Sequence, residues 1–298
     1  MTHYWTYAHV LRDEENAVSF VVELKHNCRF MLNGCYFTIK KELFEKYPES
    51  DYFVIDLITD RDKKDAENRI RKAIDLLVFI IGVPYEMDYL YQNSESIIDP
   101  IDVNISKKKI ELLNQIDFQY GKIRKKKELL ETVLRLYAMS VEYMLLFNDS
   151  EEAYFAMFRL IEKIAKDEFG IECTEIDNGY DDIRSMTSNI ICNSYGIKMP
   201  TNKLDKIAGD FTATLFETVF SDVYSKIAWF CEKKRIDYDE AVLARAVKLR
   251  NKLAHGDRVE INSSMDEYGL LTKLSNAFIH KKFFDCIEKC YIKAKVID

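Results

Sequence analysis

The sequence predicts an α+β chain that is mostly helical: a small N-terminal α/β unit over residues 1–125, then a helical domain over residues 126–298. Three observations predict it. Gly (9) and Pro (4) are scarce in 298 residues, which disfavours a turn-rich all-β fold. The first hundred positions mix strand signals, in segments rich in β-branched and aromatic residues, with helix signals. From about residue 128 onward, apolar residues recur at helical spacing.

In order along the chain, "AVSFVVEL" (17–24) reads as a strand. "CRFMLNGCYFTI" (28–39) places Asn33-Gly34 between two apolar arms, and both residues tolerate the positive φ of a type I′ hairpin turn. "DYFVIDLI" (51–58) is a further strand. Residues 63–82 read as a helix, polar in its first turns, apolar later, and stopped by Gly82 and Pro84. Residues 92–104 are polar, contain Pro100 and suit a linker. Next come residues 128–147 as a helix, "NDS" (148–150) as N-cap residues, and a helix over 151–170 ending at Gly170. Its apolar stripe runs through Tyr154, Met157, Phe158, Ile161, Ile164 and Ala165. Residues 171–200 read as irregular, 203–234 as one or two helices, 238–255 as a helix, and about 270–293 as the last helix.

Composition bounds the function. Net charge is −7, which argues against a non-specific nucleic-acid binder but leaves room for a local basic patch. Seven scattered cysteines without a CxxC pair suit reduced thiols, and the five histidines lack metal-ligand spacing, so neither a metal nor another cofactor is expected. The N-terminus lacks the basic start and apolar core of a signal peptide, and the best apolar run is shorter than a membrane span. A soluble cytoplasmic protein without a membrane partner is the expectation.

The chemistry concentrates in "KLRNKLAHGD" (248–257). Arg250 is a permanent planar cation suited to a phosphate. His255 is the side-chain type that exchanges a proton near neutrality. Together they suffice to cleave RNA without a metal, because the ribose 2′-hydroxyl supplies the nucleophile. Five residues on a regular helix turn through about 500°, which leaves the two about 140° apart. They meet only if the helix stops near Ala254 and frees His255, or if a second copy completes the site. Asn251, four residues before His255, is placed to orient the imidazole. The same pattern also suits a plain helix C-terminus, where cations favour the dipole.

"LRNKLAHGD" resembles the RxxxxH motif of HEPN-domain proteins, and its polar residue after the arginine resembles the ApeA-like subgroup. "AYFAMFRLIEKIA" (153–165) is similar to the other recognised HEPN segment. The resemblance spans roughly residues 128–295. It implies a HEPN-type helical bundle, a homodimer, and a metal-independent endoribonuclease of toxin or antiphage-defence type with an antitoxin or trigger partner. It implies Arg250 and His255 as the catalytic pair, Asn251 as their polar neighbour and Glu162 as a support for Arg250. Glu162 is equally placed to pair with Lys166 at i,i+4. The alternative is a non-catalytic HEPN module that dimerises and binds RNA or nucleotide. Lys107, Lys108 and Lys109, and the run Lys122, Arg124, Lys125, Lys126 and Lys127, are candidates for guiding RNA phosphates or for a solvated helix face. Tyr4, Trp5, Tyr7, Tyr36 and Phe37 are candidates for stacking bases or for the β core.

Overall fold

A computed structural model describes residues 1–10, 19–22, 28–39, 52–93, 107–173, 177–261, 265–285 and 294–297. It is a mixed α+β fold with helices predominant. The strands are β1 (Thr2–Val10), β2 (Ser19–Val22), β3 (Cys28–Leu32), β4 (Cys35–Ile39), β5 (Tyr52–Thr59), β6 (Tyr85–Met87), β7 (Tyr91–Asn93) and β8 (Ala294–Ile297). The main sheet is antiparallel in the order β3-β4-β5-β1-β6, and β7 also pairs with β1. β2 and β8 form a separate two-stranded ribbon.

The β3–β4 turn has φ of 51° at Asn33 and 73° at Gly34, the left-handed pair that the Asn-Gly sequence predicts. The turn is also tied to its surroundings. The Asn33 backbone N–H donates to Asp117 Oδ1 at 2.6 Å, and its side-chain amide donates to the Arg69 carbonyl at 3.1 Å.

Alternation splits the sheet into two faces. Tyr4, Phe37, Phe53, Ile55 and Leu57 are buried inward. Helix α1 (Lys63–Ile81) covers that side, capped by Asp62, which accepts the Asp65 N–H at 2.8 Å, and closed by a left-handed Gly82. Of the predicted base-stacking aromatics, Tyr4 and Phe37 are therefore core. Trp5, Tyr7 and Tyr36 stand on the other face, where Trp5 stacks on Tyr91 with ring centres 4.4 Å apart.

Helix α2 (Lys107–Lys122) packs against β3, and the bundle follows: α3 (Lys127–Leu145), α4 (Ser150–Cys173), α5 (Asp177–Asn189), α6 (Thr201–Ser221), α7 (Val223–Lys234), α8 (Glu240–Ala254) and α9 (Asp266–Phe283). Asp149, Asp222 and Asp239 cap α4, α7 and α8 by accepting backbone N–H groups. α4 is the central helix and packs on α3, α7, α8 and α9. Its Tyr154, Phe158, Leu160, Ile161 and Ile164 are fully buried, each worth about 1.5–3 kcal/mol on transfer from water.

Four predicted boundaries are corrected. α4 does not stop at Gly170 but runs to Cys173. A helical glycine costs about 1 kcal/mol, and tertiary contacts of the last turns outweigh it: Phe169 is buried edge-on against Trp229, and Glu168 gathers lysines from two helices and from the turn before α3. Residues 177–194 are helical, as α5 and a π-helical turn (Ile190–Ser194), because they pair with α6. Tyr91–Asn93 of the predicted linker joins the sheet as β7, and the rest of that linker lies outside the described residues. The last described helix spans Asp266–Phe283 rather than 270–293, with residues 286–293 outside the described set.

Packing crosses the predicted division at residue 125. On the α1–α3 contact, Lys72 meets Glu131 at 2.8 Å, Arg135 meets Asp75 at 3.3 Å, and Phe79 packs edge-on against Tyr137. One apolar core runs from the sheet through α1 into the bundle. No helix among the described residues is long and apolar enough to cross a membrane.

Candidate active site

α4 and α8 build the site. The Tyr154 hydroxyl of α4 donates to the Ala246 carbonyl of α8 at 2.9 Å in a buried contact that fixes the two helices together. Two turns further along α4, Glu162 is buried. Its Oε2 accepts from Arg250 Nη2 at 3.1 Å, and its Oε1 pairs with Lys166 Nζ at 2.6 Å. The two partners suggested for Glu162 are thus both present, one on each oxygen. The Arg250 guanidinium also lies 5.8 Å from the Phe158 ring centre, and its Nη1 donates to Asn251 Oδ1 at 3.1 Å. Three contacts hold the cation in one orientation while a quarter of its side chain stays exposed.

α8 ends at Ala254. His255 adopts φ −90° and ψ 0°, and Gly256 is left-handed at +83°. The Gly256 N–H donates to the Leu253 carbonyl at 3.0 Å, and the Asp257 N–H to the Lys252 carbonyl at 3.1 Å, which together form a Schellman cap. This is the first of the two geometries that free His255 from the helix, and its side chain is exposed. The returning segment is pinned to α4 where the Val259 N–H donates to Glu151 Oε1 at 2.9 Å.

Asn251 differs from expectation. Its side-chain oxygen accepts from Arg250, and only its backbone carbonyl reaches the His255 N–H, at 3.1 Å. Asn251 therefore positions the guanidinium rather than the imidazole. Within one chain, Arg250 faces Glu162 and His255 faces solvent one turn further along the helix.

The basic run divides. Arg124 and Lys125 are exposed in the α2–α3 turn, and Lys122 lies 3.9 Å from the Phe118 ring centre. Lys126 pairs with Asp167 at 3.4 Å, and Lys127 Nζ donates to the Tyr120 carbonyl at 2.9 Å, so both are committed within the fold. Lys107, Lys108 and Lys109 open α2, and their side chains lie outside the described set. No group of three potential metal ligands occurs among the described residues.

One titratable group was missed by sequence reasoning. Asp75 lies in a cleft of about 170 Å³ between sheet and bundle, beside Arg135, Arg71 and Glu142. Burial pushes its carboxyl up to about 6, and the Arg135 charge only partly opposes this. Its signal was an acid inside the apolar run "AIDLLVFII".

No family model, curated protein or solved structure matches the chain.

Proposed function

We propose that the chain is a metal-independent endoribonuclease of HEPN type, acting on single-stranded RNA or tRNA as a toxin or antiphage effector. The observation that carries this reading is Arg250, oriented by Glu162 and Asn251 beside a capped helix end that presents His255 to solvent. In the reaction, the ribose 2′-oxygen attacks phosphorus and the bond to the 5′-oxygen breaks. His255 takes the 2′-hydroxyl proton, and Arg250 faces the charge on the non-bridging oxygens. The 5′-oxygen leaves with a proton, giving a 2′,3′-cyclic phosphate and a 5′-hydroxyl. A homodimer supplies two imidazoles, one for each proton transfer. An RNA substrate and an antitoxin or trigger protein are the partners of this reading, in the cytoplasm.

The test is cleavage of single-stranded RNA in EDTA. His255→Ala is expected to abolish cleavage. Glu162→Gln is expected to lower kcat roughly 10–100-fold, since a misplaced cation loses transition-state stabilisation. Equal cleavage by wild type and His255→Ala removes His255 from the mechanism. The pairing of Arg250 away from His255 favours a second reading, a HEPN module that binds RNA without cutting it. RNA binding with no cleaved product selects that one.

A further inference from the structure

α4 packs on α3, α7, α8 and α9, and one stripe of it stays in solvent. Arg159, Lys163 and Lys166 are all exposed along that stripe. At 100° per residue they fall within about 60° of one another around the axis, and they span about 10 Å along it. Three cations therefore stand in a row on one helix face.

The acids of α4 do not offset them. Glu151 accepts the Val259 N–H, and Asp167 and Glu168 hold the cluster of Lys126 and Lys282. Glu162 is shared between Lys166 and Arg250, which leaves that trio one positive charge in excess. Glu152 lies on the stripe in the first turn, well before Arg159. Neither Arg159 nor Lys163 has an ion pair among the described residues. In a chain of net charge −7, such a row is a local basic patch of the kind that holds a polyanion.

Two further contacts say which polyanion. Glu162 accepts from Arg250 on one oxygen at 3.1 Å and from Lys166 on the other at 2.6 Å. The row thus runs without a gap into the cation that faces the reacting phosphate in the nuclease reading. The Arg159 guanidinium also lies 5.8 Å from the ring centre of the half-buried Phe155, one turn earlier on the same stripe. A planar cation beside an aromatic ring suits a nucleobase as well as a phosphate. A merely solvated helix face needs neither contact, and an acidic protein segment would use the charges but not the ring.

We propose that Arg159, Lys163 and Lys166 form a track on α4 that holds the sugar–phosphate backbone of single-stranded RNA and leads it to Arg250. The inference deepens the nuclease reading and rests on it for the identity of the polymer. The three are positioning residues, and they place the RNA contact on α4 instead of the lysine runs 107–109 and 122–127.

The experiment is fluorescence anisotropy of the full chain with a short labelled single-stranded RNA carrying 2′-O-methyl riboses. Methylation blocks the nucleophile, so binding is read without cleavage. Affinity is measured across a salt series, where each phosphate contact on a single strand adds about 0.7 to the log–log slope. Arg159→Gln with Lys163→Gln is expected to lower the slope by about 1.4 and to weaken binding roughly tenfold or more at low salt. Both side chains are exposed, so circular dichroism and melting are expected to stay unchanged. Lys166 is left intact because it also holds Glu162. Arg124→Gln with Lys125→Gln removes the same charge from the exposed α2–α3 turn and is expected to leave the slope as it was. On RNA with free 2′-hydroxyls, the α4 double variant is expected to raise KM with kcat nearly unchanged. A slope that the α4 variant leaves unmoved overturns the proposal. So does an equal drop in both double variants, because net charge alone then accounts for it. A wild type that binds no RNA overturns the track and the nuclease reading together and leaves the stripe to an acidic protein. Track-dependent binding without cleavage overturns the nuclease reading and keeps the track, whereas cleavage with an unmoved slope does the reverse.

Discussion

Asp75 and Arg135 form a contact in which burial wins over charge. The Asp75 carboxyl is raised from 3.8 to about 6, chiefly by desolvation. The folded chain therefore holds the proton more tightly than the unfolded chain. Stability is expected to fall as pH rises from about 4 to about 6, by about 2–3 kcal/mol, and to stay lowered above that. Asp75→Asn removes this dependence. Urea unfolding of both forms between pH 4 and pH 8 checks it, with the wild type losing about 2–3 kcal/mol more over the window than the variant. At this scale the sequence was partly legible. The chemistry of Arg250 and His255 could be recognised from residue type, because a guanidinium and an imidazole carry their properties with them. The partner of Asn251 could not be, because it depends on which way Arg250 turns, and Glu162 on another helix decides that.

Helices are held at one end of the bundle by a lysine cluster around Glu168, with Asp167 beside it on Lys282 and Lys126. Glu168 of α4 accepts from Lys282 of α9 and pairs with Lys233 and Lys234 of α7 at 3.6 and 3.3 Å, while Lys126 before α3 approaches to 3.7 Å. Burial acts to raise this carboxyl. The hydrogen bond and charge of Lys282, with Lys234, overcome it and hold the group at about 2. The sign is opposite to that of Asp75: the contribution is full above the ordinary carboxylate range and is lost as pH falls from about 4.5 towards 2. Glu168→Gln removes the carboxylate shared by Lys233 and Lys234 and leaves Lys126 and the almost fully buried Lys282 with Asp167 alone. The expected cost is about 3 kcal/mol in urea unfolding at pH 7, shrinking in acid. Nothing local announced this cluster, because its members come from four separate stretches of chain. Elements stopped by their own residues, such as the Asn33-Gly34 turn and the Gly82 helix end, were legible for the converse reason. α5 was not, because its apolar side chains face outward and its helical form follows from pairing with α6.

The whole molecule shares one core, although its composition suggests two units. Phe79 from the sheet-covering helix touches both Tyr137 of α3 and Phe284 beyond α9. Sheet and bundle are therefore expected to unfold together. The chain contains two tryptophans, Trp5 in the sheet and Trp229 in α7, so Trp5→Phe and Trp229→Phe each leave one reporter in a different half. Coincident fluorescence midpoints in urea are expected once the stability change of each substitution is subtracted, and well-separated midpoints would show independent domains. The division at residue 125 was read from a change in secondary-structure type. Type alone does not reveal whether the apolar side of one helix is spent on a sheet, on another helix, or on both at once.

The β2–β8 ribbon joins Ser19–Val22 to Ala294–Ile297 across nearly the entire sequence. During synthesis, β2 leaves the ribosome long before its mate exists. Every helix of the bundle emerges in between, and domains fold progressively as they appear. The clasp is accordingly a late event with a large loop to close, and until it shuts β2 lacks that ladder partner.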